Sequence, residues 1–153
     1  MFDSDLILVD GTVACSQATA ASWTPAISTT RTAASGAVVI DLRKTGVSGL
    51  AAVLILPTGT SVGTTDYLIA YLQASDTEDM TGTTTGISLL GYFGIASAVT
   101  TRILSGEAPA IVVMRFATKK RYVRANLTPT VGNGAANFGA VKVYLTPYAF
   151  KVM

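Results

Sequence analysis

Histidine is absent from this 153-residue chain, and cysteine occurs once, as Cys15. The first absence removes the commonest general base, the commonest metal ligand and the usual Ser/His and Cys/His nucleophile pairs. The second excludes an intrachain disulfide and any CxxC or Cys/His zinc pattern. Phosphate-loop chemistry is missing as well: "GTTTG" at 82–86 lacks the terminal Lys-Ser/Thr and is followed by no βαβ context. "GVSG" at 46–49 falls one residue short of a serine-nucleophile elbow. Asp76, Glu78 and Asp79 in "SDTEDM" lack the EF-hand ligand spacing and read as a solvated loop, and Asp3, Asp5 and Asp10 are equally scattered. The sequence predicts no catalytic residue, no metal site and no cofactor, and it is not read as an enzyme.

Charge is scarce too. Charged residues make up 13% of the chain and apolar ones 50%, against a usual charged share of about 25%. A surface with so few charges must be hidden in a membrane, in an oligomer or against a partner. Long hydrophobic runs are lacking, which excludes the first option. The longest unbroken aliphatic stretch is "LAAVLIL" at 50–56, far short of the ~20 residues of a spanning helix. "LLGYFGIASAV" at 89–99 is interrupted by two Gly and one Ser. The opening "MFDSDLILVD" carries three Asp and no Lys or Arg before Arg31, the opposite of a secretory n-region. The expectation is a protein made in the cytoplasm, outside any membrane, with its surface covered by other protein.

What the chain does contain is short runs of Val, Ile, Leu and Tyr separated by Thr-, Gly- and Ser-rich punctuation. These predict strands at about 38–43, 50–57, 67–74, 110–117, 121–128 and 139–146, with a weaker one near 99–104. Turn chemistry stands between them, including Asn133-Gly134 in "PTVGNGAANF". The fold class is all-β, an antiparallel β-sandwich or jelly roll with an extended N-terminal arm. Residues 1–37 form that arm, with a short strand near 5–9, and 38–153 form the sandwich, a single domain overall. Residues 75–98 open as a polar loop and continue into an apolar segment, where a short helix at 89–98 fits despite Gly91 and Gly94.

Alternation assigns faces. Val123, Ala125 and Leu127 point one way, and Tyr122, Arg124, Asn126 and Thr128 the other. Val141, Val143 and Leu145 face inward, while Lys142, Tyr144 and Thr146 face outward. The strands at 50–57 and 110–117 are apolar on both faces; in the latter, Ile111 and Val113 share a face with Arg115. An antiparallel sheet commonly leaves one face to water, so such strands predict a covered outer face.

The stretch "RFATKKRYVRANLT" at 115–128 holds five of the eleven basic residues. Up to Glu107 there are nine acids and four bases, a net of −5; beyond it seven bases and no acid, +7. One reading is a phosphate-binding face of Arg115, Lys119, Lys120, Arg121 and Arg124 with Tyr122 as a stacking platform. The other pairs these side chains with the acidic 75–80 segment or with another protein. The weakly basic total, the turn position of Lys119 and Lys120, and the opposite orientations of Arg121 and Arg124 favour the second and argue against direct nucleic-acid binding. Tyr and Arg on outward strand positions are typical interface anchors. Trp23, Arg115, Lys119, Lys120, Arg121, Tyr122, Arg124 and Tyr144 are therefore the candidate protein–protein interface residues, with Tyr148 in the same aromatic cluster.

Three segments in order, "VVIDLR" at 38–43, "LPTGTSVGTTDYLIAYLQASDTED" at 56–79 as a hairpin, and "KKRYVRANLTPTVGNGAANFGAVKVYLT" at 119–146, resemble the cement or decoration proteins of tailed bacteriophages. Tyr122, Val123, Arg124 and the 130–139 turn match that family's strand and Gly-rich turn, and Leu72 to Asp76 match its "LQASD"-type strand end. The resemblance covers roughly 38–146. It implies a jelly-roll protein on the capsid exterior, a homodimer or homotrimer clamping neighbouring major capsid subunits in a virion assembled in a bacterial host. Alternatives are another virion β-protein of the tail or head-completion kind, a carbohydrate-binding module, and a DNA-binding accessory protein.

Overall fold

The computed structural model describes residues 6–12, 14–17, 39–43, 47–58, 64–78, 80, 86–94, 102–104, 107–130 and 136–148. Eleven strands run through them: β1 (Ile7–Val9), β2 (Ser16–Gln17), β3 (Ile40–Asp41), β4 (Val47–Leu56), β5 (Tyr67–Ser75), β6 (Ile87–Tyr92), β7 (Ile103–Leu104), β8 (Ala110–Thr118), β9 (Tyr122–Thr130), β10 (Ala136–Asn137) and β11 (Lys142–Pro147). The first sheet has the order β1-β11-β4-β8 and the second β3-β9-β5-β6, with β7 also paired to β5. All these pairings are antiparallel. A small ladder of β2 with β10 stands apart.

Along the chain, β1, β4, β8 and β11 fall in one sheet and β3, β5, β6 and β9 in the other. Of the connections joining these eight strands, only β5 to β6 stays within a sheet. This interleaving of a four-stranded sheet with a five-stranded one, in which β7 is an extra strand, is the jelly-roll topology, so the all-β sandwich expected from the sequence is present. "PTGTSVGTTD" does not close a hairpin, however: it joins β4 to β5, which lie in opposite sheets.

Period-two burial explains why the sheets face each other. β5 reads half-buried and buried in strict alternation, with Leu68, Ala70, Leu72 and Ala74 inward, and β9 does the same with Val123, Ala125 and Leu127. From the first sheet, Ala52, Leu54, Leu56, Val143 and Leu145 meet them, with Phe93, Phe138 and Ile103 filling the same cluster. Burial of side chains of this size stabilises by about 1.5–3 kcal/mol each. The inward positions on β9 and β11 are those that alternation assigns, whereas on β4 and β8, apolar on both faces, the structure selects Ala52, Leu54 and Leu56 and Val112, Met114 and Phe116.

Three features depart from the sequence reading. The segment from 87 is strand β6, paired to β5 with a bulge between Leu72 and Gln73, and the described part of the expected helix, 89–94, contains none. Gly91 explains part of this. A Cβ there would lie 2.6 Å from Met114 Sδ, so the glycine lets the edge strands β6 and β8 close one side of the sandwich. The short strand expected near 5–9 exists, but it is the edge of the first sheet and places Leu8 and Val9 in the core. Cys15 continues this anchoring: its N–H donates to Gly139 O at 2.7 Å, and its carbonyl accepts from Phe138 N–H at 2.8 Å. These parts of the presumed arm are therefore built into the body.

Cys15 is fully buried, and desolvation pushes its thiol up from the ordinary 9.0 to about 12. The native thiol stays protonated while an unfolded chain ionises, so the associated stability is present below pH 9 and is lost as pH rises towards 12. Native protein at pH 9 should react with a thiol-specific disulfide reagent only after denaturant is added. The stability of Cys15→Ala should fall less than that of the parent between pH 9 and 11, read by urea midpoints.

Candidate interaction surfaces

With the inward faces occupied, function must lie on the two outward faces and the edges. The basic cluster comes first, and the fold splits it. Arg115 lies on the outward face of β8, its guanidinium 4.3 Å from the centroid of the Tyr148 ring. Lys119 is exposed in the bend between the sheets. The Nζ of Lys120 donates to Asp76 Oδ2, and its N–H donates to Thr118 Oγ1 at 3.0 Å. Arg121 grips Asp41 with two bonds of 2.8 Å, from Nε and Nη2. Tyr122, half-buried, packs against the small cluster of Val39 and Met80 and lies 5.1 Å from the Arg121 guanidinium. Lys120 and Arg121 thus meet carboxylates, the first of them in the 75–80 acidic segment.

Arg124 is different. It lies on the outward face of the second sheet, where Nε donates to Gln73 Oε1 at 3.0 Å and Nη1 to Met80 O at 3.3 Å. Gln73 Oε1 accepts a second bond, from Asn126 Nδ2, at 2.8 Å. No carboxylate pairs with Arg124 among the described residues. Desolvation lowers its pKa, partly offset by Tyr71.

Of the remaining candidates, Tyr144 faces away from the core, as alternation requires, but is only 8% exposed. Trp23 lies outside the described residues.

Sequence reasoning overlooked one group and, of a second, named only Ile111 and Val113. The outward face of the second sheet carries Tyr67, Tyr71 and Tyr92, with the Arg102 guanidinium 4.2 Å above the Tyr67 ring. Alternation in "YLIAYLQAS" already separates Tyr67 and Tyr71 from the leucines, so the signal was present. The second group consists of the exposed large apolar side chains: Ile111 at 70%, Val113 at 55%, Leu89 at 51%, and Tyr92 and Leu104 at 40%. Register places Leu89, Tyr92 and Leu104 on the outward face of the second sheet, opposite Gln73, Tyr71 and Tyr67, and Ile111 and Val113 on the outward face of the first. On the first sheet, register extends this surface inward, with Ile55 beside Ile111 and Val53 beside Val113.

Against known proteins, a scan of family models finds no match, and searches of curated proteins and of solved structures likewise find none.

Gln73 holds two neighbours with one oxygen. Gln73→Leu should leave the Arg124 and Asn126 donors without that acceptor and destabilise the fold by about 1–3 kcal/mol in urea denaturation. Thr128→Val on the same face, whose side chain takes part in no recorded bond, should shift stability by less than about 0.5 kcal/mol.

Proposed function

We propose that this chain is a structural assembly protein, and specifically a cement protein of the tailed-phage kind. On this reading it self-associates into a dimer or trimer and binds the outside of a capsid, clamping neighbouring major capsid subunits. The observation that carries the reading is the pair Ile111 and Val113, 70% and 55% exposed on the outward face of β8, which register continues through Ile55 and Val53 of β4. Scattered single apolar residues need no partner, whereas a contiguous set marks an interaction surface.

Edge strands add to the argument. β8 is nine residues long, with no proline and only Arg115 charged. A long apolar edge is an aggregation hazard unless something covers it. The low overall charge and the resemblance of residues 38–146 to cement proteins point the same way. The jelly roll alone does not, since the architecture serves capsid, lectin and enzyme-type domains alike.

The native mass, measured by size-exclusion chromatography with light scattering at low and high salt, comes first. A dimer or trimer that resists salt is expected, because apolar contact is not screened. Val113→Asp and Ile111→Asp should each yield monomer, or lose co-sedimentation with capsids lacking the protein, with unchanged circular dichroism. A wild-type monomer that fails to sediment with such capsids overturns the proposal.

A further inference from the structure

The outward face of the second sheet differs from the aliphatic face of β8 and β4: beside Leu89 and Leu104 it carries tyrosine, amide, hydroxyl and guanidinium groups. Register sets Tyr67, Ile69, Tyr71 and Gln73 of β5 opposite Thr130, Thr128, Asn126 and Arg124 of β9. Tyr92 of β6 stands across from Tyr71, their ring centroids 5.6 Å apart and the planes inclined at 52°. Tyr67 lies four residues from Tyr71, about 13 Å along the strand. Aromatic surface therefore alternates with hydroxyl, amide and guanidinium groups.

The polar groups are held in place. Gln73 Oε1 is fixed by Arg124 Nε and Asn126 Nδ2, which orients both amides and the guanidinium. The remaining capacity of the three points to a ligand: the Gln73 amide N–H groups, Asn126 Oδ1 and Arg124 Nη2 have no recorded partner among the described residues. Together they offer donors, an acceptor and a cation without a carboxylate, next to a tyrosine pair.

We infer that this face binds a carbohydrate bearing a carboxylate, that is, a glycan containing uronic or sialic acid. A pyranose presents an apolar C–H face that stacks on the exposed Tyr92 ring, with the inclined Tyr71 ring against its edge, and its hydroxyls both donate and accept, matching Asn126 and Gln73. Its carboxylate takes the charge-assisted hydrogen bonds that Arg124 leaves unused. The site does not depend on the proposed assembly role, since its residues are distinct from Ile111 and Val113.

Calorimetric titration tests this with four probes: oligogalacturonate, sialyllactose, a neutral cello-oligosaccharide and polyglutamate. At least one acidic sugar should bind, with the neutral sugar weaker by roughly tenfold or more and polyglutamate not binding. Arg124→Gln should weaken acidic-sugar binding by roughly tenfold, a loss of about one charge-assisted hydrogen bond. Tyr71→Ala and the more exposed Tyr92→Ala should each weaken it, so that the second serves if the first misfolds. Ile111→Asp should leave it intact. Failure of both acidic sugars overturns the inference, as does binding that survives both tyrosine variants. Equal binding of polyglutamate also overturns it, and assigns the face to an acidic peptide.

Discussion

β4 and β5 follow each other in the chain but deliver Leu54 and Leu56, and Leu68 and Leu72, to one core from opposite sheets. Every strand of this jelly roll works under the same constraint. One of its faces is committed to a shared aliphatic interior, so only the alternate side chains are free for anything else. Because the chain changes sheet at nearly every connection, few core contacts are local. Removing any strand exposes the inward face of the sheet opposite. That is why so short an element as β1 matters: Leu8 and Val9 enter the core from the edge of the first sheet.

This constraint also decides how much the sequence could reveal. Long strands with clean alternation, such as "YLIAYLQAS" and "YVRANLTPT", announced both their existence and their faces. Strands of two or three residues, such as β1, β2 and β10, carry too few positions for a period and are fixed by partners more than a hundred residues away. β6 was misread for another reason. "ISLLGYFG" suits a helix or a strand equally by periodicity, and the choice was made by pairing with β5 and by the lack of a Cβ at Gly91 against Met114. Which connections cross between sheets is a topological property that turn residues do not encode, so "PTGTSVGTTD" looked like a hairpin.

The basic cluster shows how linear density misleads about sites. Five cations within ten residues suggest one patch, yet a turn between sheets sends Arg115 to one outward face and Arg124 to the other. Asp41 and Asp76, contributed by sequence-distant segments, take Arg121 and Lys120. The separation of acids and bases along the chain is thus partly a record of which strand ends meet in space. Local pairing of this sort at exposed positions contributes little to stability, and it also lowers the charge available to a polyanion.

What remains after the core and the ion pairs are accounted for is two surfaces that differ in kind. On the outward face of β8 and β4, Arg115 aside, free side chains such as Ile111, Val113, Ile55 and Val53 are aliphatic, and their burial is non-directional, driven by area removed from water. Across β5 and β9 they are tyrosine, amide, hydroxyl and guanidinium, which reward a ligand only if it places specific groups in register. Two such faces can serve different partners without competing, because they lie on opposite sheets with a shared aliphatic core between them. A simple sugar-binding module would have no need of Ile111 and Val113 in water. The division between the faces is therefore better explained by two recognition events than by one.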